Sequence, residues 1–313
     1  MKLLILLGLS LSTGLLGCSS SSSSGTSATS LNDVELTNLS GDCSEYTGSF
    51  TSSITDLGTS TSFSGSLVIS SGSSTCTFVS NGIPNHDVND SDSFATDIAE
   101  VSQTFSITSS PTDGSSDTDL SLSVDNGIFL NGAKLDLLPA ACYGIGSEPL
   151  GSEKIGCDDD DTPWRYDPMY SGNDFGTDSH NAHAQPDGAY HYHGNPLALF
   201  DNDSPTEPSG VIGFAADGYP IYGPYIEDGS SIREVVSGYT LKSGSRTSQS
   251  GEGAFPGGTW DGTFRDDYEY TGAGDLDECN GMTVDGQYGY YVTNAFPWVM
   301  NCYKGTPDST FTK

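Results

Sequence analysis

The chain has 313 residues, with 10 Lys plus Arg against 42 Asp plus Glu and a formal net charge of −32 at pH 7. Such a surface repels a phosphate backbone, which excludes nucleic-acid binding, and it disfavours anionic lipid; cations are the natural partners, although acidity also serves solubility alone. The 39 glycines and 15 prolines suit tight turns and long loops rather than long helices.

Residues 1–17 read as an export signal. One lysine, Lys2, precedes an apolar run too short to span a bilayer. The run ends in Leu15-Leu16-Gly17-Cys18, which resembles a bacterial lipobox, so Cys18 is the expected lipid attachment point and the membrane an expected partner. Ser19 after the cysteine resembles outer-membrane sorting, which places the protein in the cell envelope, at the outer membrane or cell surface. Residues 18–40 then form the lipidated cysteine and a tether: Ser19–Ser30 is almost all Ser, Gly, Thr and Ala and cannot bury a core.

Residues 41–313 are read as one β-rich region. Ser64–Ser70, Thr75–Val79, Thr104–Thr108 and Leu120–Val124 alternate apolar residues with Ser or Thr, the period of half-buried strands. Pro139–Tyr143 predicts a single helical turn. The expected fold is mainly β, sandwich-like antiparallel sheets with long ordered loops. Six cysteines besides Cys18, namely Cys43, Cys76, Cys142, Cys157, Cys279 and Cys302, predict three disulfides in an exported protein. Fifteen pairings are possible; proximity favours Cys43–Cys76, Cys142–Cys157 and Cys279–Cys302. The run Asp158–Asp161 offers carboxylates to calcium but lacks the spacing of a calcium loop, so an exposed turn is the plainer reading.

Five histidines occur in the chain, and His180, His183, His191 and His193 fall within the sixteen residues Asp178–His193. Imidazole is the commonest side-chain metal ligand. Ala189-Tyr-His-Tyr-His193 reads as a short strand, so His191 and His193 share one face and Tyr190 and Tyr192 the other. His180 and His183, three apart, share a face if they sit on a turn or short helix. All four are expected in one site, with His86 a candidate fifth ligand. Asp178 is placed to fix a ring tautomer, and Tyr190 and Tyr192 to pack or hydrogen-bond behind the ligands.

Asp187-Gly-Ala-Tyr-His-Tyr-His-Gly-Asn-Pro196 resembles the signature of the bacterial YHYH-domain proteins. Ser80–His86, Asn131–Asp136, Gly213–Pro224, Leu276–Gly281 and Tyr288–Gly305 are similar to the same family, so the resemblance covers about residues 76–305. It implies the family domain without implying a reaction. Asp285-Gly-Gln-Tyr-Gly-Tyr-Tyr291 echoes the signature but has Gly289 and Tyr291 in place of the histidines. Asp277 and Glu278 are candidate carboxylates near the site. Tyr219–Tyr225 and Phe296–Trp298 line a cleft or, more simply, pack under loops.

Three uses of the cluster stay open. The leading one is binding of a transition metal, copper or zinc, since imidazole donors without thiolate suit either. The second is a metal-dependent hydrolase or copper redox enzyme. The third is a structural or surface-interaction module without metal. The chain lacks His-Glu-x-x-His, Gly-x-Ser-x-Gly and a phosphate loop.

Overall fold

The computed structural model describes residues 27–146, 150, 154–203, 205–251 and 253–313; the signal, Cys18 and the tether up to residue 26 lie outside them, whereas residues 27–40, expected as tether, pack on the domain: Thr29–Ser30 pair with Phe50–Thr51 and Leu31 is buried. Strands β1 (Thr29–Ser30), β2 (Gly48–Asp56), β3 (Thr61–Ser71), β4 (Thr75–Ser80) and β5 (Gln103–Thr108) form one sheet in that order. The Ser/Thr alternation works as expected there. Leu67 and Ile69 of β3, Cys76 and Phe78 of β4, and Phe105 and Ile107 of β5 point into the core while Val68, Thr77 and Ser106 between them face out.

A two-residue strand, β6 (Thr118–Asp119), precedes the larger sheet, which begins with β7 (Gly127–Phe129), β8 (Lys134–Leu135), β9 (Ala182–Ala184), β10 (Tyr190–Tyr192), β11 (Val211–Ala215) and β12 (Pro220–Tyr222). Two small antiparallel pairs follow outside it, the hairpin of β13 (Tyr225–Asp228) with β14 (Ser231–Glu234), and β15 (Tyr239–Leu241) with β16 (Tyr268–Tyr270) across a long connection. Strands β17 (Gly281–Val284) and β18 (Gln287–Tyr291) complete the large sheet, and β19 (Cys302–Tyr303) pairs with β6. The order in the eight-stranded sheet is β17-β18-β12-β11-β7-β8-β10-β9. It is mixed: β10 runs parallel to β8 and β12 parallel to β18. The long excursion from Asp136 to Asn181 is what lets β10 enter beside β8 in the same direction, since parallel neighbours need a long crossover.

One apolar core runs under both sheets, from Ile54, Leu67 and Phe78 to Phe129, Phe214, Tyr190 and Tyr290. The three disulfides pair as proximity suggested: Cys43–Cys76, Cys142–Cys157 and Cys279–Cys302. Two expected elements are absent. Leu120–Val124 is a turn, because the Ser121 carbonyl and hydroxyl and the Asp160 carboxylate take the amides of Val124, Ser123 and Leu122. Pro139–Tyr143 is not helical. The carbonyls of Pro139 and Ala140 accept from Arg165 and from Cys157, and Cys142 bridges to Arg165 instead. Among the described residues, no helix is long and apolar enough to cross a membrane.

Candidate metal centre

The signature segment is the β9–β10 hairpin at the edge of the large sheet. Five residues, Gln185–Ala189, make its turn: Gln185 N donates to Ala189 O at 2.9 Å, Gly188 N to Gln185 O at 2.8 Å, and Ala189 N to Asp187 Oδ1 at 3.0 Å. Gly188 has φ +89°, and a Cβ there would lie 2.6 Å from the Ala99 Cβ, so this position needs glycine on both counts. The turn sets the register, and the register puts His183 directly opposite His191. His193, two residues on, shares their face.

The three rings converge on their Nε2 atoms. Nε2 of His193 lies 3.0 Å from Nε2 of His191 and 3.0 Å from Nε2 of His183. Backbone carbonyls fix two of the tautomers from behind. Nδ1 of His183 donates to Phe175 O at 2.7 Å, and Nδ1 of His191 to Ala189 O at 3.3 Å. Both Nε2 atoms are therefore lone-pair acceptors. Nδ1 of His193 makes no hydrogen bond of good geometry, although the Leu137 backbone lies beside that ring. His191 and His193 are buried, and burial, reinforced by the neighbouring imidazoles, holds both well below the ordinary histidine range. Both rings are held as neutral imidazole, the form that binds metal.

His180 and His86 do not join this group. The expectation of one site for all the histidines is corrected by the backbone: His183 lies on a strand, not a turn or helix, and left-handed Asn181 (φ +64°) separates it from His180. His180 packs instead against His86, ring centroids 3.8 Å apart and planes tilted by 38°, on the side of β10 where Tyr190 and Tyr192 point. There His86 Nδ1 donates to Asp87 O at 2.8 Å, and Tyr192 donates its hydroxyl to His86 Nε2 at 2.7 Å. Asn131 Nδ2 in turn donates to the Tyr192 oxygen at 2.9 Å. Burial, with His180 alongside, pushes His86 down to about 3. Asp178 fixes no ring. Its carboxylate accepts from the Tyr190 hydroxyl at 2.9 Å and from the amides of Asn89, His180 and Ala182. Burial raises it to about 6 despite those donors.

Other candidates resolve elsewhere. Asp277 caps the turn into β17 and accepts from Tyr288, while the Glu278 carbonyl accepts from Tyr239; neither lines the histidine cavity. The echo motif is nonetheless a structural parallel, for Tyr288 bonds Asp277 as Tyr190 bonds Asp178. Tyr219, Tyr222, Tyr225 and Phe296 are buried packing residues. The carboxylates of Asp158–Asp161 are exposed and do not converge. Among the described residues only two groups bring three ligand atoms within 4.8 Å, and in one of them, Asp117 with Cys279 and Cys302, the thiols are spent in a disulfide. The other is His183, His191 and His193.

The triad opens onto a cavity of about 390 Å³ walled by Leu138, Pro139, Ile155 and Phe175, with Asp136 and Lys313 at its side. Sequence reasoning missed these contributors. Asp136 ends one of the motifs quoted above. Phe175 and Lys313 carry no local signal, since they reach the site only through the fold.

The family model described as YHYH protein matches residues 104–305. The chain belongs to the YHYH family. The match takes in the tetrapeptide Tyr190–His193, the hairpin that presents it and every strand of the large sheet, while His86 lies ahead of the matched range. No curated protein and no solved structure matches the chain.

Proposed function

We propose that this YHYH-family chain is an exported, lipid-anchored protein that binds one divalent transition metal, copper or zinc, through Nε2 of His183, His191 and His193. The carrying observation is the pair of 3.0 Å Nε2–Nε2 contacts among rings two of which are locked as acceptors. His193 has one proton to offer, and one proton does not serve both contacts well. A cation serves all three nitrogens. Metal–nitrogen bonds of 2.0–2.1 Å at tetrahedral angles put ligand nitrogens about 3.3 Å apart, close to the spacing present. The backbone carbonyls behind His183 and His191 orient the donors as the outer partners of metal-bound imidazoles do. The anionic surface raises the local concentration of cations.

Three protein ligands and an adjoining cavity leave room for a fourth, exchangeable ligand. That opening is what favours a metal-dependent enzyme as the second reading. Elemental analysis of protein purified without a polyhistidine tag tests the first claim. About one copper or zinc per chain is expected, and its loss in His191→Ala/His193→Ala. No metal in the parent, or equal metal in both, would sink it. The anchor rests on Leu15–Cys18 and is tested by membrane fractionation of Cys18→Ala, which should release the protein.

A further inference from the structure

Asp136 sits beside His193 in the sheet. The parallel pairs His191–Lys134 and Tyr192–Leu135 continue where Asp136 N donates to Tyr192 O at 3.0 Å, so Asp136 follows as the neighbour of His193, one strand spacing of about 4.8 Å away. Its side chain is 5% exposed. Oδ2 accepts from Gln185 Nε2 at 2.7 Å and from Lys313 Nζ. Oδ1 is buried and accepts from nothing in the chain, although it belongs to a residue lining the same cavity as the three histidines. A buried carboxylate oxygen without a donor keeps the full cost of its lost hydration. The cavity is large enough to hold the missing donor, at about 30 Å³ for each water.

Resting on the metal reading above, we infer that Asp136 Oδ1 accepts a hydrogen bond from whatever occupies the open position of the triad's metal. The centre then selects water and small neutral N–H or O–H compounds over aprotic and anionic ones. Asp136 is a specificity-determining residue of this site: Gln185 and Lys313 occupy its other oxygen, which leaves Oδ1 as the free acceptor.

That anchoring makes one substitution decisive. In Asp136→Asn the single oxygen is held at the Oδ2 position, because Gln185 Nε2 and Lys313 Nζ are both donors there. The amide NH₂ then stands at the Oδ1 position, turning an acceptor into a donor with almost no change of volume. Co(II), which takes imidazole donors, supplies visible bands for the test. Pyrazole carries an N–H next to its coordinating nitrogen; 1-methylpyrazole does not. Co(II)-loaded parent should bind pyrazole at least about tenfold more tightly than 1-methylpyrazole, the worth of one charge-assisted hydrogen bond. In Asp136→Asn that preference should fall about tenfold and azide should bind about tenfold more tightly than in the parent. If Co(II) loads both proteins and neither quantity changes, the role of Asp136 is wrong while the metal centre stands. Equal affinities for pyrazole and 1-methylpyrazole in the parent overturn it without any variant. If the parent takes up no Co(II), the metal reading itself fails and this inference with it.

Discussion

Tyr192 donates its hydroxyl proton to Nε2 of His86 across 2.7 Å, on the face of β10 opposite the triad. The direction is set by His86 Nδ1, which gives its own proton to the Asp87 carbonyl. One strand thus separates two histidine groups of different character. On one side three Nε2 atoms converge, two of them held as acceptors by the carbonyls behind their rings; on the other, both nitrogens of His86 are satisfied within the chain. The family tetrapeptide encodes both sides, its histidines building the centre and its tyrosines the support.

Tyr192→Phe should therefore cost stability without costing metal. It leaves His86 Nε2 and the Asn131 amide without their shared partner in a buried setting, a penalty of about 1–3 kcal/mol. Urea unfolding should show that loss, while Cu(II) or Zn(II) affinity changes by no more than a few-fold. A large fall in affinity with unchanged stability would contradict the division of the two faces.

Metal should raise the melting temperature of the parent and leave His191→Ala/His193→Ala unmoved. At a hundredfold excess over the dissociation constant the gain is about 2.7 kcal/mol, which is roughly 5–10 °C for a chain of this size. Differential scanning calorimetry with metal and with chelator reads it directly.

Acid should act on the opposite face through two groups of opposite sign. His86 is held at about 3, below its unfolded value near 6.5, so its contribution is complete above pH 6.5 and is lost as pH falls toward 3. Asp178 is raised to about 6, above its unfolded value near 3.9, so its contribution is present below pH 3.9 and is lost as pH rises through 6. Replacing His86 by Gln should flatten the fall in melting temperature between pH 7 and pH 4.5, and Asp178→Asn should steepen it. Melting curves of metal-free protein across that range check both signs.

Gly188→Ala should damage stability and site together. The new Cβ meets Ala99 at 2.6 Å in a left-handed backbone, for an expected cost of about 1–3 kcal/mol. The hairpin must shift to admit it, which moves His183 relative to His191 and weakens metal binding. Calorimetry and metal titration of the one variant measure the two effects.

The Cys142–Cys157 bridge closes the wall that carries Pro139, Ala140 and Ile155 into the cavity. A loop of 15 residues corresponds to about 3 kcal/mol from chain entropy. Cys142→Ala/Cys157→Ala should lose about that much in equilibrium unfolding, and metal bound in the cavity should exchange faster with chelator. Unchanged stability would mean that the wall is held by other contacts.

Much of this protein is local and was readable from residue order. Alternation of apolar and hydroxyl residues named β3, β4 and β5, because the period of a strand is written in neighbours. The histidine density marked the centre, the spacing of His191 and His193 gave their common face, and short separations named the three disulfides. Where side-chain hydrogen bonds to the backbone decide conformation, as at Leu120–Val124, the same alternation misled. Only the tertiary structure chose among the histidines. The turn at Ser179–His180 and left-handed Asn181, just ahead of β9, send His180 and His183 to opposite sides, and β9 is held in register with β10 by the turn at Gly188, which packs against distant Ala99. Asp136, Phe175 and Lys313 meet the triad across separations that no local pattern encodes. They become parts of a site because the packed sheet and its long crossover bring them to one cavity.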